Sequence, residues 1–140
     1  MGKNVDTVRR ACEAWGAGDI SIYRGMYAPD VTASAGRFAP EVPQGEMTGV
    51  DEIMEGFGSL MEAFERSELI PEGFIEEGDN LVVPVLMRAV PRGSSATIEW
   101  RLAIAYTFRD GLITHQAWYP TLDEALESAG VSRSAQRLPK

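Results

Sequence analysis

An α+β fold, in which a curved antiparallel sheet and three to four helices form a cone around a cavity, follows from three features of the chain. Apolar residues recur at helical spacing through the first half. Two-residue alternation and turn signals govern residues 68–119, and a capping sequence opens one more helix near the end. The 140 residues fit one domain with one substantial core.

Asn4 is placed to cap a first helix whose inner stripe is Val5, Val8, Ala11 or Cys12, and Trp15; Gly16 and Gly18 end it. Asp19 caps a short second helix with Ile20, Tyr23 and Tyr27 on one side, and Ala28-Pro29 closes it. A short strand from Val31 to Ala35 follows. Residues 36–48 carry Gly36, Pro40, Pro43 and Gly45 and read as an irregular loop, a kind of segment that is often functional in a compact domain. Thr48, with Asp51 three residues on, starts a third helix with the stripe Ile53, Phe57, Leu60, Met61 and Phe64. Gly56 and Gly58 each weaken that helix, which points to close packing there.

Strands are expected near 68–77, 80–91, 95–108 and 112–119, separated by Gly78-Asp79-Asn80, Pro91-Arg92-Gly93 and Asp110-Gly111. Connections this short make them antiparallel neighbours. Thr121-Leu122-Asp123-Glu124 is a capping box that opens a last helix, and Gly130 closes it. The domain is therefore drawn at 1–131, with 132–140 as a flexible tail.

Thirteen Lys and Arg stand against 21 Asp and Glu, a net charge of -8, and this balance argues against nucleic acid and membrane surfaces as partners. One cysteine, Cys12, cannot staple a fold, and with a single histidine it offers no metal-ligand cluster. No metal and no cofactor are expected. The first residues lack an apolar signal core and no run reaches membrane-spanning length, so a cytoplasmic protein is expected.

Four segments carry a family resemblance. Trp15-Gly16-Ala17-Gly18-Asp19 with Tyr27-Ala28-Pro29-Asp30-Val31, then Gly49-Val50-Asp51-Glu52-Ile53, then Phe108-Arg109-Asp110-Gly111-Leu112-Ile113 with Tyr119, and finally Glu124-Ala125-Leu126-Glu127-Ser128-Ala129-Gly130 occur in order and with matching spacing. The chain resembles the SnoaL-like polyketide cyclase and ketosteroid isomerase superfamily, with its nuclear transport factor 2-like cone fold. That resemblance implies a scaffold shared by cyclases, isomerases, hydrolases, dehydratases and non-catalytic binding proteins, so fold leaves function open.

The resemblance also marks the positions where catalytic members keep their acids, bases and oxyanion donors. Here they hold Ala11, Ala35, Phe57, Ile104 and Trp118. An enolising enzyme needs a base and oxyanion donors, and neither set transfers to this chain. Glu99-x-Arg101 is the nearest echo of the epoxide-opening arrangement, in the wrong order.

Alternation places Ile98, Trp100, Leu102, Ile104, Tyr106 and Phe108 on the inner face, and Thr97, Glu99, Arg101, Ala103, Ala105 and Thr107 on the outer surface. Gln116 and Trp118 are expected inward and His115 outward, unless a bulge intervenes. The expected pocket is Trp15, Phe57, Met61, Met87, Leu102, Ile104, Tyr106, Gln116 and Trp118. Its polar handles are a phenol, a carboxamide and indole N–H groups, suited to a small apolar molecule with a carbonyl or hydroxyl.

The candidates for catalysis are Tyr106, His115 and Asp30, with Arg37 and Glu46 on the long loop as further charge. Each has a plainer role: His115 on a surface or interface, Asp30 in a turn, the loop charges in solvent. The outer residues Glu99, Arg101, Ala103 and Ala105 are compatible with a homodimer interface. Three readings stay open. The first is a small hydrophobic-molecule-binding protein. The second is an isomerase, cyclase or hydrolase on a polyketide-, steroid- or terpenoid-like substrate. The third is a non-catalytic dimerising module.

Overall fold

The computed structural model describes residues 2–34, 46–132 and 136–137; the expectations placed on Ala35, Arg37, residues 36–45, 133–135 and 138–140 lie outside them. The described chain runs α1 (Lys3–Gly16), a 3-10 turn (Ser21–Gly25), β1 (Tyr27–Ser34), β2 (Glu46–Thr48), α2 (Val50–Glu62), β3 (Phe64–Pro71), β4 (Phe74–Glu77), β5 (Asn80–Pro91), β6 (Ile98–Arg109), β7 (Leu112–Tyr119), α3 (Leu122–Ala129) and β8 (Gln136–Arg137). The strands form one sheet in the order β2-β1-β7-β6-β5-β4-β8, with β3 paired to β5 as well. This is an α+β fold on a curved, mostly antiparallel, unclosed sheet.

Helix starts depart from the sequence reading in two of three cases. Asn4 lies inside α1, whose cap is Gly2, with the Asp6 N–H donating to the Gly2 carbonyl. Thr48 belongs to β2; Gly49, at φ 88°, takes the cap of α2, a backbone conformation that only glycine adopts without strain. The Glu52 carboxylate reaches back to the Thr48 N–H at 2.9 Å, so half of a capping box survives one position late. α3 starts as its sequence demands. Thr121 Oγ1 accepts from the Glu124 N–H at 3.2 Å, and Gly130 closes the helix at φ 69°.

The second helix shrinks to one 3-10 turn after Asp19, whose carboxylate accepts the Ser21 N–H at 3.0 Å. Tyr27, expected on that helix, instead opens β1, which runs through Ala28-Pro29. Proline is tolerated because the parallel pairing of β1 with β7 breaks between Tyr27 and Thr32, where no ladder hydrogen bond is demanded of it. The strand expected at 68–77 is two strands, β3 and β4, which pair with successive stretches of β5. Pro71 and Pro84 both lack an N–H at that break, and the Glu72 N–H donates to the Pro84 carbonyl at 2.8 Å.

Gly56 is where close packing occurs: a Cβ there would lie 2.8 Å from Met47 Sδ, whereas one on Gly58 meets nothing within 4 Å.

Two cores flank the sheet. α1 and α2 cover the inner face, where Val8, Trp15, Ile53 and Phe57 meet Val83, Val85, Leu102, Ile104 and Trp118. α3 lies on the opposite face, with Ala125 and Leu126 against Ile75, Val82, Ala103 and Ala105. This corrects the expectation that Ala103 and Ala105 belong to the outer surface: they are 0% and 8% exposed. Small side chains there let a helix lie close on the sheet. Glu99 and Arg101 remain outside, paired with Arg88 at 2.7 Å and Glu72 at 2.8 Å.

Candidate functional site

The interior is arranged around Phe57 on α2. Its ring meets Trp15, Tyr23 and Trp118 edge-on, at centroid distances of 6.0, 5.7 and 5.3 Å. Such T-shaped contacts place positive ring edges against negative faces and fix the rings' orientations. Facing them, β6 and β7 pair Ile104 with Trp118 and Tyr106 with Gln116. A bulge after Thr107 shifts the register by one residue, so Ile113 opposes Phe108 and also turns inward. The bulge lies outside the pairs that Gln116 and Trp118 make with Tyr106 and Ile104, and it leaves both inside.

These walls enclose a cavity of about 30 Å³. Trp15, Phe57, Met87, Leu102, Ile104, Tyr106, Gln116 and Trp118 line it. Met61 does not. It turns to an outer cleft of about 530 Å³, shared with Trp15, Gly16, Phe64 and Ser67. The reason is helical phase: Phe57 and Leu60 take the buried stripe of α2, and Met61 sits at its edge. The sequence reading missed Tyr23, Met26, Tyr27, Cys12, Leu69 and Ile113, which line the interior too. Tyr23 and Tyr27 were visible as an aromatic pair. The turn from helix to strand between them, which aims both inward, was not.

The polar groups differ in how they are satisfied. The Tyr23 hydroxyl donates to the Ala11 carbonyl at 2.8 Å, and the Trp15 indole N–H donates to Ser67 Oγ at 2.7 Å. The Tyr27 hydroxyl donates to Gln116 Oε1 at 2.9 Å, which leaves the amide nitrogen of Gln116 as a donor. The Tyr106 hydroxyl has no hydrogen-bond partner among the described residues, although Tyr106 is only 5% exposed. Among the described residues no fully enclosed side-chain polar atom is left unpaired, so this hydroxyl keeps its surface toward the cavity.

Burial holds these groups neutral. It pushes the Tyr27 and Tyr106 phenols well above the usual tyrosine range, with Tyr23 adding to the shift at Tyr27, and Cys12, Tyr27 and Tyr23 adding to that at Tyr106. The Cys12 thiol is raised from 9.0 to about 12 by burial, then by the nearby Glu13 carboxylate. The described lining residues include no carboxylate, histidine, lysine or arginine.

The other candidates lie elsewhere. His115 pairs opposite Thr107 on the far face of β7, its Nδ1 2.7 Å from Thr32 Oγ1. Asp30 is exposed and accepts from Arg109 at 3.1 Å, a hydrogen bond that holds its carboxyl below the usual range. Glu46, expected on a loop, opens β2 and is exposed. Among the described candidates, Tyr106 is thus the one that meets the interior. Among the described residues no three His, Cys, Asp or Glu gather as for a metal, and no helix is long and apolar enough to cross a membrane.

Comparison with known proteins bears on this arrangement. No curated protein is similar to the chain by sequence. Among solved structures, an NTF2-like protein of unknown function from Burkholderia pseudomallei K96243 is similar at a TM-score of 0.76 and 22% identity, over 92% of this chain and 98% of that one. TerC, co-crystallised with polyporic acid, is similar at a TM-score of 0.74 and 20% identity, over 91% and 97%. A putative SnoaL-like polyketide cyclase from Jannaschia sp. CCS1 is similar at a TM-score of 0.69 and 21% identity, over 91% and 90%. The family model of the SnoaL-like domain matches residues 8–116, which span α1 to β7 and every wall of the cavity except Trp118, and the chain belongs to that family.

Proposed function

We propose that this protein binds a small, planar, mostly apolar molecule that carries a hydrogen-bond acceptor, and that it does so without acid–base chemistry. One observation carries the reading. Two donors, the Tyr106 hydroxyl and the Gln116 amide, meet in an aromatic wall that offers no ionised group. A buried donor without a partner costs on the order of 1–3 kcal/mol, and phenylalanine and leucine would fill the same space without that cost. A carbonyl oxygen between the two donors offsets it.

An isomerase, cyclase or hydrolase on a polyketide-, steroid- or terpenoid-like substrate needs a group that takes a proton near neutral pH. The described lining residues offer phenols and a thiol that burial keeps protonated. TerC, of the same fold, was co-crystallised with polyporic acid, which supports a ligand-holding use of the scaffold. The rival reading of a dimerising module draws on the small size of the interior. About 30 Å³ is near the share of one liquid water and far below the roughly 300–1,000 Å³ of small-molecule sites. On that reading the polar pair is a packing remnant.

Calorimetric titration with 1-indanone and with indane, the same skeleton without the carbonyl, separates the two. The expected result is tighter binding of the ketone, weakened about three- to tenfold by Tyr106→Phe with indane unaffected. Absence of binding by either compound would leave the module reading standing.

A further inference from the structure

An interior this small takes a ligand only if a wall moves, and three spaces meet along one seam. Trp15 lines both the interior and the outer cleft of about 530 Å³. Cys12 and Leu69 line both the interior and a second outer cleft of about 400 Å³. Gly16 and Glu68 border both outer clefts. All of these residues lie on α1 or just across from it on β3, so the two clefts flank a single helix–strand contact.

The seam is held differently at its two ends. Toward the middle of α1, Arg9 lies over the Phe74 ring of β4, 4.7 Å from its centroid, and the helix has the core residues Val8 and Ala11 beneath it. At the C-terminal end the Trp15 indole N–H donates to Ser67 Oγ on β3, and the chain then turns away through Gly18 at φ 76°. A side chain–side chain hydrogen bond of this kind is worth little net, so breaking it is a low-energy event compared with unfolding the core.

We propose that the α1–β3 seam is the door to the interior and that the Trp15–Ser67 hydrogen bond is its latch. Swinging the Trp15 ring outward joins the interior to the larger cleft and brings the volume into the range of small-molecule sites. The proposal rests on the ligand-binding reading for its purpose but not for its test, because the chain carries its own reporter. Cys12, the single cysteine, lies within the seam itself, 6% exposed, between the interior and the smaller outer cleft. A buried thiol reacts only from the open form, and its rate tracks the opening equilibrium when reclosing is fast.

The experiment follows labelling of Cys12 by dithiobis(nitrobenzoate) at fixed pH in the whole protein. Ser67→Ala is expected to speed labelling about two- to tenfold, the worth of one hydrogen bond. Trp15→Phe keeps a ring in place and removes only the donor, and the same acceleration is expected. Thr121→Ala, which removes the cap of α3 on the far face, is the control for global unfolding and is expected to leave the rate unchanged. Wild-type rates in both seam variants, or equal acceleration by Thr121→Ala, would overturn the door. Saturating 1-indanone is expected to slow labelling. Acceleration by Ser67→Ala without any binding of 1-indanone keeps the door and sinks the binding reading instead.

Discussion

The two faces of the sheet solve the same burial problem in opposite ways. On the outer face, α3 lies on Ala103 and Ala105, and the charges beyond it are paired: Arg88 with Glu99, Arg101 with Glu72, Asp30 with Arg109. On the inner face, large aromatic side chains leave a small cavity, and two polar groups point at it without being fully used. A face that serves only stability closes on itself. On the proposed ligand-binding reading, that difference is the space and the hydrogen-bonding capacity left for the ligand.

Core truncation tests this first. Ile104 is 2% exposed, and Ile104→Ala is expected to cost about 2–5 kcal/mol in urea denaturation through lost contacts and a larger cavity. One residue away on the other face, Ala103→Leu is expected to cost about 1–3 kcal/mol by forcing α3 off the sheet. A harmless Ala103→Leu would show that α3 is not packed as described.

The hydroxyls sharpen the comparison within the inner face. Tyr27→Phe strands Gln116 Oε1 and is expected to cost about 1–3 kcal/mol by the same measurement. Tyr106→Phe removes a hydroxyl with no partner and is expected to change stability by less than about 0.5 kcal/mol, or to raise it. Equal losses from the two variants would mean that Tyr106 is already satisfied, and would remove the basis for an acceptor-bearing ligand.

The faces also differ in the pH at which they fail. Cys12 has its thiol raised from 9.0 to about 12 in the fold, so the unfolded chain loses its proton first. Its contribution is whole below pH 9 and declines as pH rises from there toward 12, by about 1.4 kcal/mol per pH unit at most. The buried Tyr27 and Tyr106 phenols add losses of the same sign at higher pH. Asp30 on the outer face behaves oppositely. Its carboxyl is lowered by Arg109, so its contribution holds above the ordinary 3.8 and fades as pH falls through the lower folded value. That acid loss is expected to be slight, because the pair is open to solvent. Thermal denaturation of wild type and Cys12→Ala from pH 7 to 11 checks the sign: the variant should lose stability less steeply above pH 9.

Much of this was legible in the chain. Two-residue alternation on β6 put Leu102, Ile104 and Tyr106 inside and Glu99 and Arg101 outside, because a pleated strand leaves no other choice once one face is buried. The capping box at Thr121 named the start of α3 to the residue. The weaker caps misled: Asn4 and Thr48 have the right side chains, but backbone packing let Gly2 and Gly49 take the positions. Met61 was assigned to the cavity on spacing alone, which does not resolve the middle of a buried stripe from its edge.

The linear sequence by itself carried the family resemblance, in four segments of matching order and spacing, and it determined the α+β class and the apolar character of the walls, since periodicity and composition are local properties that every fold of this chain must honour. Tertiary structure decided which polar groups are used up. Tyr27 reaches Gln116 across 89 positions, and Trp15 reaches Ser67 across 52. It also decided that α3 covers the face opposite the other helices, and that the interior is nearly filled. Those outcomes depend on register, bulges and side-chain volumes meeting in space, which no window of neighbouring residues contains.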